Sequence, residues 1–256
     1  MSQKLLNRIA VVTGASRGIG RAIAVALAEE GARVACLATK VENTAAVIKE
    51  IESLGQSAYG YACRVESAEE VKTTFSRIKE DIGDIDLLVN NAGISQPVPL
   101  LKMSEQNWDL HMDVNAKSVF LCSQAAIQQM KDSGNGGVVV NIGSIVGENA
   151  IPQTLGYCTS KAAINHMTRV MAVECAKYKV RVNCVAPGYV HTELIDELVD
   201  AGKLTLDALE KRTPQRRLGT LQEISQSVVY VASDDAAFMT GSIVTIDGGW
   251  SAYGYM

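Results

Sequence analysis

Short β-branched runs alternate with charged, helix-forming stretches along almost the whole chain, and this alternation constrains the fold more than any other feature. The apolar runs span 9–13, 33–37, 57–63, 87–90, 138–142, 180–185 and 242–246, and helix-like stretches lie near 18–30, 42–54, 68–81, 105–131, 157–177 and 221–233. Continuous apolar strands separated by helices predict an α/β fold, a mostly parallel sheet covered on both faces with right-handed crossovers. No linker, low-complexity tract or domain-sized repeat interrupts the pattern. One domain over 1–256 is the economical reading, with residues 189–217, too long for a simple connection, as a candidate lid.

Local punctuation supports these boundaries. Ser67 with Glu70 matches a capping box at a helix start, whereas Ser104 with Asn107 matches it imperfectly. Gly31 and Gly55 follow helical stretches as left-handed terminators would, and Pro187–Gly188 ends the sixth strand in a turn.

Bulk properties exclude several functions. The formal net charge is -4, and the one basic cluster, Lys211, Arg212, Arg216 and Arg217, reads as a solvated stretch, so no nucleic-acid partner is expected. No run approaches the ~18–20 apolar residues of a membrane span, and no leader-like pattern precedes 9–13. Six cysteines without C-x-x-C spacing are expected as reduced thiols, and a cytoplasmic protein is the expectation. His111, His166 and His191 form no zinc-binding pattern, so no metal is expected.

The first strand runs into Thr13-Gly14-Ala15-Ser16-Arg17-Gly18-Ile19-Gly20 and then a helix. Glycines permit a tight turn and close approach of a pyrophosphate, and the unpaired N–H groups of the helix start attract it. A purely structural turn uses glycine too, so its place between strand and helix carries the argument for a dinucleotide. At the end of strand two, an acidic side chain would pair with a ribose 2′-hydroxyl; the chain has Leu37-Ala38-Thr39-Lys40 instead. Arg17 and Lys40 can meet a 2′-phosphate and Thr39 can donate to it, favouring NADP(H), with NAD(H) as the alternative if both cations are merely solvated. Asn90-Asn91-Ala92-Gly93 closes strand four at the carboxyl edge of the sheet, where ligands of such folds bind.

Ser144 follows strand five, and Tyr157 and Lys161 stand one turn apart on the next helix. A free phenol, with a pKa of about 10, is a poor acid–base group at neutral pH, and a nearby ammonium favours its phenolate. Such a pair also arises by chance on a solvated helix.

In these elements, together with Asn115, Pro187–Gly188 and Asp247-Gly248-Gly249, the chain closely resembles the short-chain dehydrogenase/reductase family over essentially its whole length. The resemblance implies a Rossmann-like, doubly wound, seven-stranded parallel sheet, transfer of the pro-S hydride at nicotinamide C4, and a homotetramer. It implies a tetrad in which Tyr157 exchanges a proton with the carbonyl oxygen and Ser144 holds that oxygen. Lys161 grips the ribose and lowers the Tyr157 pKa, and Asn115 holds a water linking Lys161 to solvent. It places Gly14, Ser16, Arg17, Gly18, Ile19 and Gly20 at the pyrophosphate end, with Thr39 and Lys40 at the ribose. Arg64 and Val65 fall near the adenine, Asn91, Ala92 and Gly93 beside the adenosine portion, and Pro187, Gly188, Val190 and Thr192 by the nicotinamide. Arg64 departs from the family's Asp or Asn; it can stack on the adenine or point to solvent.

A small free ketone or polyol is the expected substrate, from a pocket lined by 145–155 and 189–212. β-Ketoacyl carrier-protein reductases are close cousins, but an acidic carrier protein needs exposed basic groups, and Lys131, Lys177 and Lys179 offer few. A catalytically silent dinucleotide-binding scaffold is the alternative of another class; it predicts loss of Tyr157 or Lys161, and both are present. The aromatic tail, residues 250–256, is expected to pack, at a subunit interface or towards a neighbouring active site.

Overall fold

A computed structural model describes residues 3–254 apart from residues 201 and 203. Seven strands, β1 (Ile9–Thr13), β2 (Arg33–Ala38), β3 (Ala58–Ala62), β4 (Leu87–Asn90), β5 (Gly137–Ile142), β6 (Val180–Pro187) and β7 (Ile243–Ile246), form one sheet in the order β3-β2-β1-β4-β5-β6-β7. Every pairing is parallel. The order reverses between β1 and β4, which opens a crevice at their carboxyl ends.

The helices are α1 (Gly18–Glu29), α2 (Ala45–Ser53), α3 (Ala68–Ile82), α4 (Glu105–His111), α5 (Ser118–Ser133), α6 (Leu155–Cys175), α7 (Glu193–Asp200), α8 (Leu206–Arg212) and α9 (Leu221–Ala232). β1, β2, β4, β5 and β6 bury both faces, as the near-continuous apolar runs require, while the edge strands β3 and β7 are only partly covered. On one side Val12, Val34 and Val140 pack with Ile23 and Leu27 of α1 and Val228 of α9. On the other, Val11, Leu88 and Val139 pack with Phe75 and Ile78 of α3 and Cys122 and Ala126 of α5. No helix among the described residues is long and apolar enough to cross a membrane.

Three local expectations change. The stretch 105–131 is not one α-helix: α4 and α5 are joined by a π-helical turn, Met112–Lys117. At α3, Ser67 accepts from the Glu70 N–H at 3.4 Å, but the Glu70 carboxylate turns to the Arg64 backbone and guanidinium, so the box is half made. The complete box is Thr220–Glu223 at α9, and Ser104 caps α4 by accepting from Asn107 N–H at 3.2 Å. Residues 189–217 are not structureless either. They hold α7 and α8, whose Ile195 and Leu209 form a small separate core with Tyr189, Leu204 and Leu218.

Candidate active site

At the end of β1 the chain must turn sharply, and Gly14 does so with φ 64°. A Cβ there would stand 2.9 Å from Ala92 Cα, and one on Gly20 would overlap the Gly14 carbonyl. The loop therefore lies closer to the β4 end than any other residue type permits. Asn91 fastens it: its Nδ2 donates to the carbonyls of Thr13 and Gly14 at 3.0 and 3.1 Å, and the Thr13 hydroxyl accepts from Asn91 and Ala92 N–H. The Asn91 amide nitrogen is thus committed to the loop.

Ser16, Arg17, Gly18 and Ile19 lead into α1, whose first turn carries no acidic residue. Its open N–H groups and partial positive charge suit a pyrophosphate. Arg17 lies about two-thirds exposed with Nη1 3.9 Å from Glu197 of α7. Thr39 and Lys40 are exposed just past β2, and Lys40 makes no ion pair among the described residues. Arg64 donates from its backbone N and Nε to Glu70 at 2.7 and 2.6 Å, so it neither stacks freely nor points away; Val65 beside it is buried. These residues fit a nicotinamide dinucleotide: a cradle that a Cβ would fill, a helix start without acids, and cations past β2.

The reacting groups gather at the ends of β4 and β5. Ser144 follows β5 in extended conformation; its Oγ accepts from Val146 N–H at 3.3 Å, which leaves its own proton free to draw the Tyr157 pKa down. Tyr157 is the third residue of α6, and Lys161 lies one turn on with Nζ 5.7 Å from the phenol ring centroid. Nζ donates to the Ile142 carbonyl at 2.8 Å. Burial pushes the Tyr157 phenol up, and the Ser144 hydrogen bond opposes it. Burial likewise lowers Lys161, to about 8. In the protein alone desolvation governs both groups, and the Ser144 side chain, not Lys161 as expected, is what draws the phenol down.

Asn115 is fully buried within the π turn. Its Oδ1 accepts from Ile94 N–H at 2.8 Å, while Nδ2 donates to the Ile94 carbonyl and Ser160 Oγ, each at 3.0 Å. Gly93 makes room for it, since a Cβ there would approach Oδ1 to 3.2 Å. Pro187 ends β6, Gly188 lies against Asp247, Val190 bridges to Gly219, and Thr192 caps the start of α7 through Ile195 N–H.

Ser144 and Tyr157 face a cavity of about 550 Å³. Ile145, Ile151, Gln153, Tyr189, Ile195 and Leu204 contribute to its walls, from the two segments expected. Ser95 and Pro97, also in its lining, were not anticipated; their signal was adjacency to Gly93 at the carboxyl end of β4. Residues 250–253 pack on their own chain. Trp250 meets Tyr189 edge-on at 6.4 Å, and Arg212 lies 4.2 Å from the Trp250 ring and 5.5 Å from that of Tyr253. Tyr255 and Met256 lie outside the described residues.

Residues 14–251 match the family model described as enoyl-(acyl carrier protein) reductase. The chain is 36% identical over 246 residues to a 3-oxoacyl-(acyl-carrier-protein) reductase of Thermotoga maritima, covering 96% of this chain and 98% of that one. Among solved structures, a short-chain dehydrogenase/reductase from Mycobacterium marinum superposes with a TM-score of 0.93 at 38% identity, covering 98% of each chain. A gluconate 5-dehydrogenase from Burkholderia cenocepacia, solved with NADP and tartrate, superposes with a TM-score of 0.92 at 34% identity, again over 98% of each. The chain belongs to the short-chain dehydrogenase/reductase family and is an NAD(P)-dependent oxidoreductase of that class.

Proposed function

We propose that the protein interconverts a small free ketone and its secondary alcohol, with NADP(H) preferred over NAD(H), in the cytoplasm. The observation that carries this reading is that Ser144 and Tyr157 line one cavity, with Lys161 one helical turn from Tyr157. The nicotinamide would supply or accept the hydride. Tyr157 Oη gives its proton to the carbonyl oxygen in reduction and takes it back in oxidation. Ser144 Oγ orients that oxygen, and Lys161 returns the proton to Tyr157 and binds the ribose. Asn115 holds the path from Lys161 to solvent.

Gly14, Ser16, Gly18, Ile19 and Gly20 hold the pyrophosphate, and Thr39, Lys40 and Arg17 receive the 2′-phosphate. Ala92 and Gly93 flank the adenosine, Val65 lies under the adenine, and Pro187, Gly188, Val190 and Thr192 hold the nicotinamide. The NADP-bound Burkholderia relative supports this preference. The whole chain acts as one catalytic unit in which residues 189–217 close over the substrate, since Tyr189, Ile195 and Leu204 already wall the cavity. Exposed Phe120, Val170 and Val173 on α5 and α6 support a homotetramer.

A 3-oxoacyl-(acyl-carrier-protein) substrate is the second reading, favoured by the reductase named for the Thermotoga relative. Initial rates with NADPH and NADH over small ketones, diketones and sugars, beside an acetoacetyl thioester, separate the two. A best rate with a free ketone and NADPH is expected. Turnover confined to the thioester overturns the free-substrate reading, and tighter NADH binding overturns the cofactor preference.

A further inference from the structure

The segment after β4 forms no regular element, and three alternate residues of it are pinned from outside the sheet. Ile94 is held through N–H and carbonyl by Asn115. Gln96 N–H donates to His111 Nε2 at 3.1 Å. Val98 N–H donates to the Gln153 carbonyl at 2.7 Å. The residues between the pinned ones, Ser95 and Pro97, are those that line the cavity.

The middle pin is a closed circuit. His111, 1% exposed, accepts from Gln96 N–H at Nε2, and its Nδ1 lies 2.8 Å from the Asn107 carbonyl, which can only accept. The ring is therefore the neutral tautomer with its proton on Nδ1. Asn107 Nδ2 completes the loop by donating to Gln96 Oε1 at 3.0 Å. The same ring packs on Gly156, where a Cβ would come within 3.1 Å of it, and Gly156 immediately precedes Tyr157. His111 thus joins one wall of the cavity to the helix turn that carries the phenol. The Ser95 hydroxyl, by contrast, has no hydrogen-bond partner among the described residues.

We propose that His111 is a positioning residue for the substrate: through Gln96 it holds Ser95 in the cavity wall, and the Ser95 hydroxyl bonds a second polar group of the ketone, away from the reacting carbonyl. This rests on the oxidoreductase reading above and narrows the substrate to ketones bearing such a group.

The test uses the full-length protein with NADPH and the ketone that reacts best in the screen above. His111→Phe keeps the ring and removes both bonds; KM for the ketone should rise about tenfold, with kcat and the NADPH dissociation constant within about twofold of native. His111→Gln, able to accept from Gln96 N–H, should recover much of the loss. Ser95→Ala should raise KM several-fold, and the double variant should raise it no further than His111→Phe alone, because one residue acts through the other. Amide exchange across residues 94–98 should accelerate in His111→Phe. Native KM in His111→Phe, additive effects in the double variant, or unchanged exchange would each overturn the proposal. Absence of turnover of any ketone by the native protein would instead fall on the oxidoreductase reading.

Discussion

Lys161 Nζ donates to the Ile142 carbonyl across 2.8 Å, tying the lysine of α6 to the last residue of β5, two positions before Ser144. A buried ammonium is held there by one neutral acceptor, and desolvation brings its pKa down to about 8.

That arrangement has a stability consequence. Between about pH 8 and 10.5 the unfolded lysine binds more protons than the folded one, so stability rises with pH through that window and is lowest where both forms are charged. By linkage the cost at neutral pH is roughly 3 kcal/mol, partly offset in Lys161→Met by about 1 kcal/mol for the orphaned Ile142 carbonyl. Lys161→Met should therefore be inactive yet more stable at pH 7, and should lack the alkaline rise. A lower melting temperature at pH 7 than the native protein would contradict this balance.

Tyr157→Phe should reduce kcat/KM by about 10³-fold while leaving the NADPH dissociation constant near native, since only proton transfer is lost. Ser144→Ala acts differently. The Ser144 hydrogen bond opposes the burial that raises the phenol, so its removal lets the Tyr157 pKa rise further. The acid limb of the pH–rate profile for alcohol oxidation should move to higher pH. A shift to lower pH would mean that Ser144 stabilises the neutral phenol instead.

Arg17 is weakly engaged by Glu197 at 3.9 Å, with both side chains about two-thirds exposed. Solvent screens such a pair, so Arg17 remains available to a phosphate. Glu197→Gln should tighten NADPH binding by about twofold, and Lys40→Ala should weaken it by about tenfold, each with little effect on NADH. Fluorescence titration at two salt concentrations checks both; equal effects on the two cofactors would refute a 2′-phosphate contact.

The Arg212 guanidinium, set against the Trp250 ring and donating to the Trp250 carbonyl at 3.1 Å, ties α8 to the tail, and Trp250 leans on Tyr189 of the cavity wall. Arg212→Ala should cost about 1 kcal/mol of stability and raise the ketone KM without altering cofactor binding. Arg212→Lys should not restore it, because stacking needs the planar group. Thermal melts and steady-state kinetics decide the point.

Most of this architecture is legible in the residues. The buried strands announce themselves because both faces are apolar, and β1 and β4 begin and end where the pattern does. The spacing of Ser144, Tyr157 and Lys161 likewise specifies their meeting once α6 is known to start beside β5. Other features depend on partners distant in sequence. Glu70 satisfies the capping pattern with Ser67, yet Arg64 competes for its carboxylate with charge as well as hydrogen bonds. The box at Thr220–Glu223 fits the same pattern and was legible. α7 and α8 are short, and their apolar residues face one another rather than the main core. The Met112–Lys117 turn has no sequence signature, because apolar periodicity tolerates one additional residue over so long a stretch.

That wide turn makes chain length a functional quantity here. Removing any one residue between 112 and 117 would let α4 and α5 wind as a single regular helix, a locally favourable change. Because the π turn spreads one extra residue over nearly the same rotation, α4 and α5 would keep their mutual orientation while the turn itself narrowed. His111 and Asn107 would stay beside Gln96, while Asn115, inside the turn, would be redirected from Ile94 and Ser160. For anyone redesigning this protein, or sorting its relatives, a gap of one in this helix is a difference at Asn115 that no substitution marks.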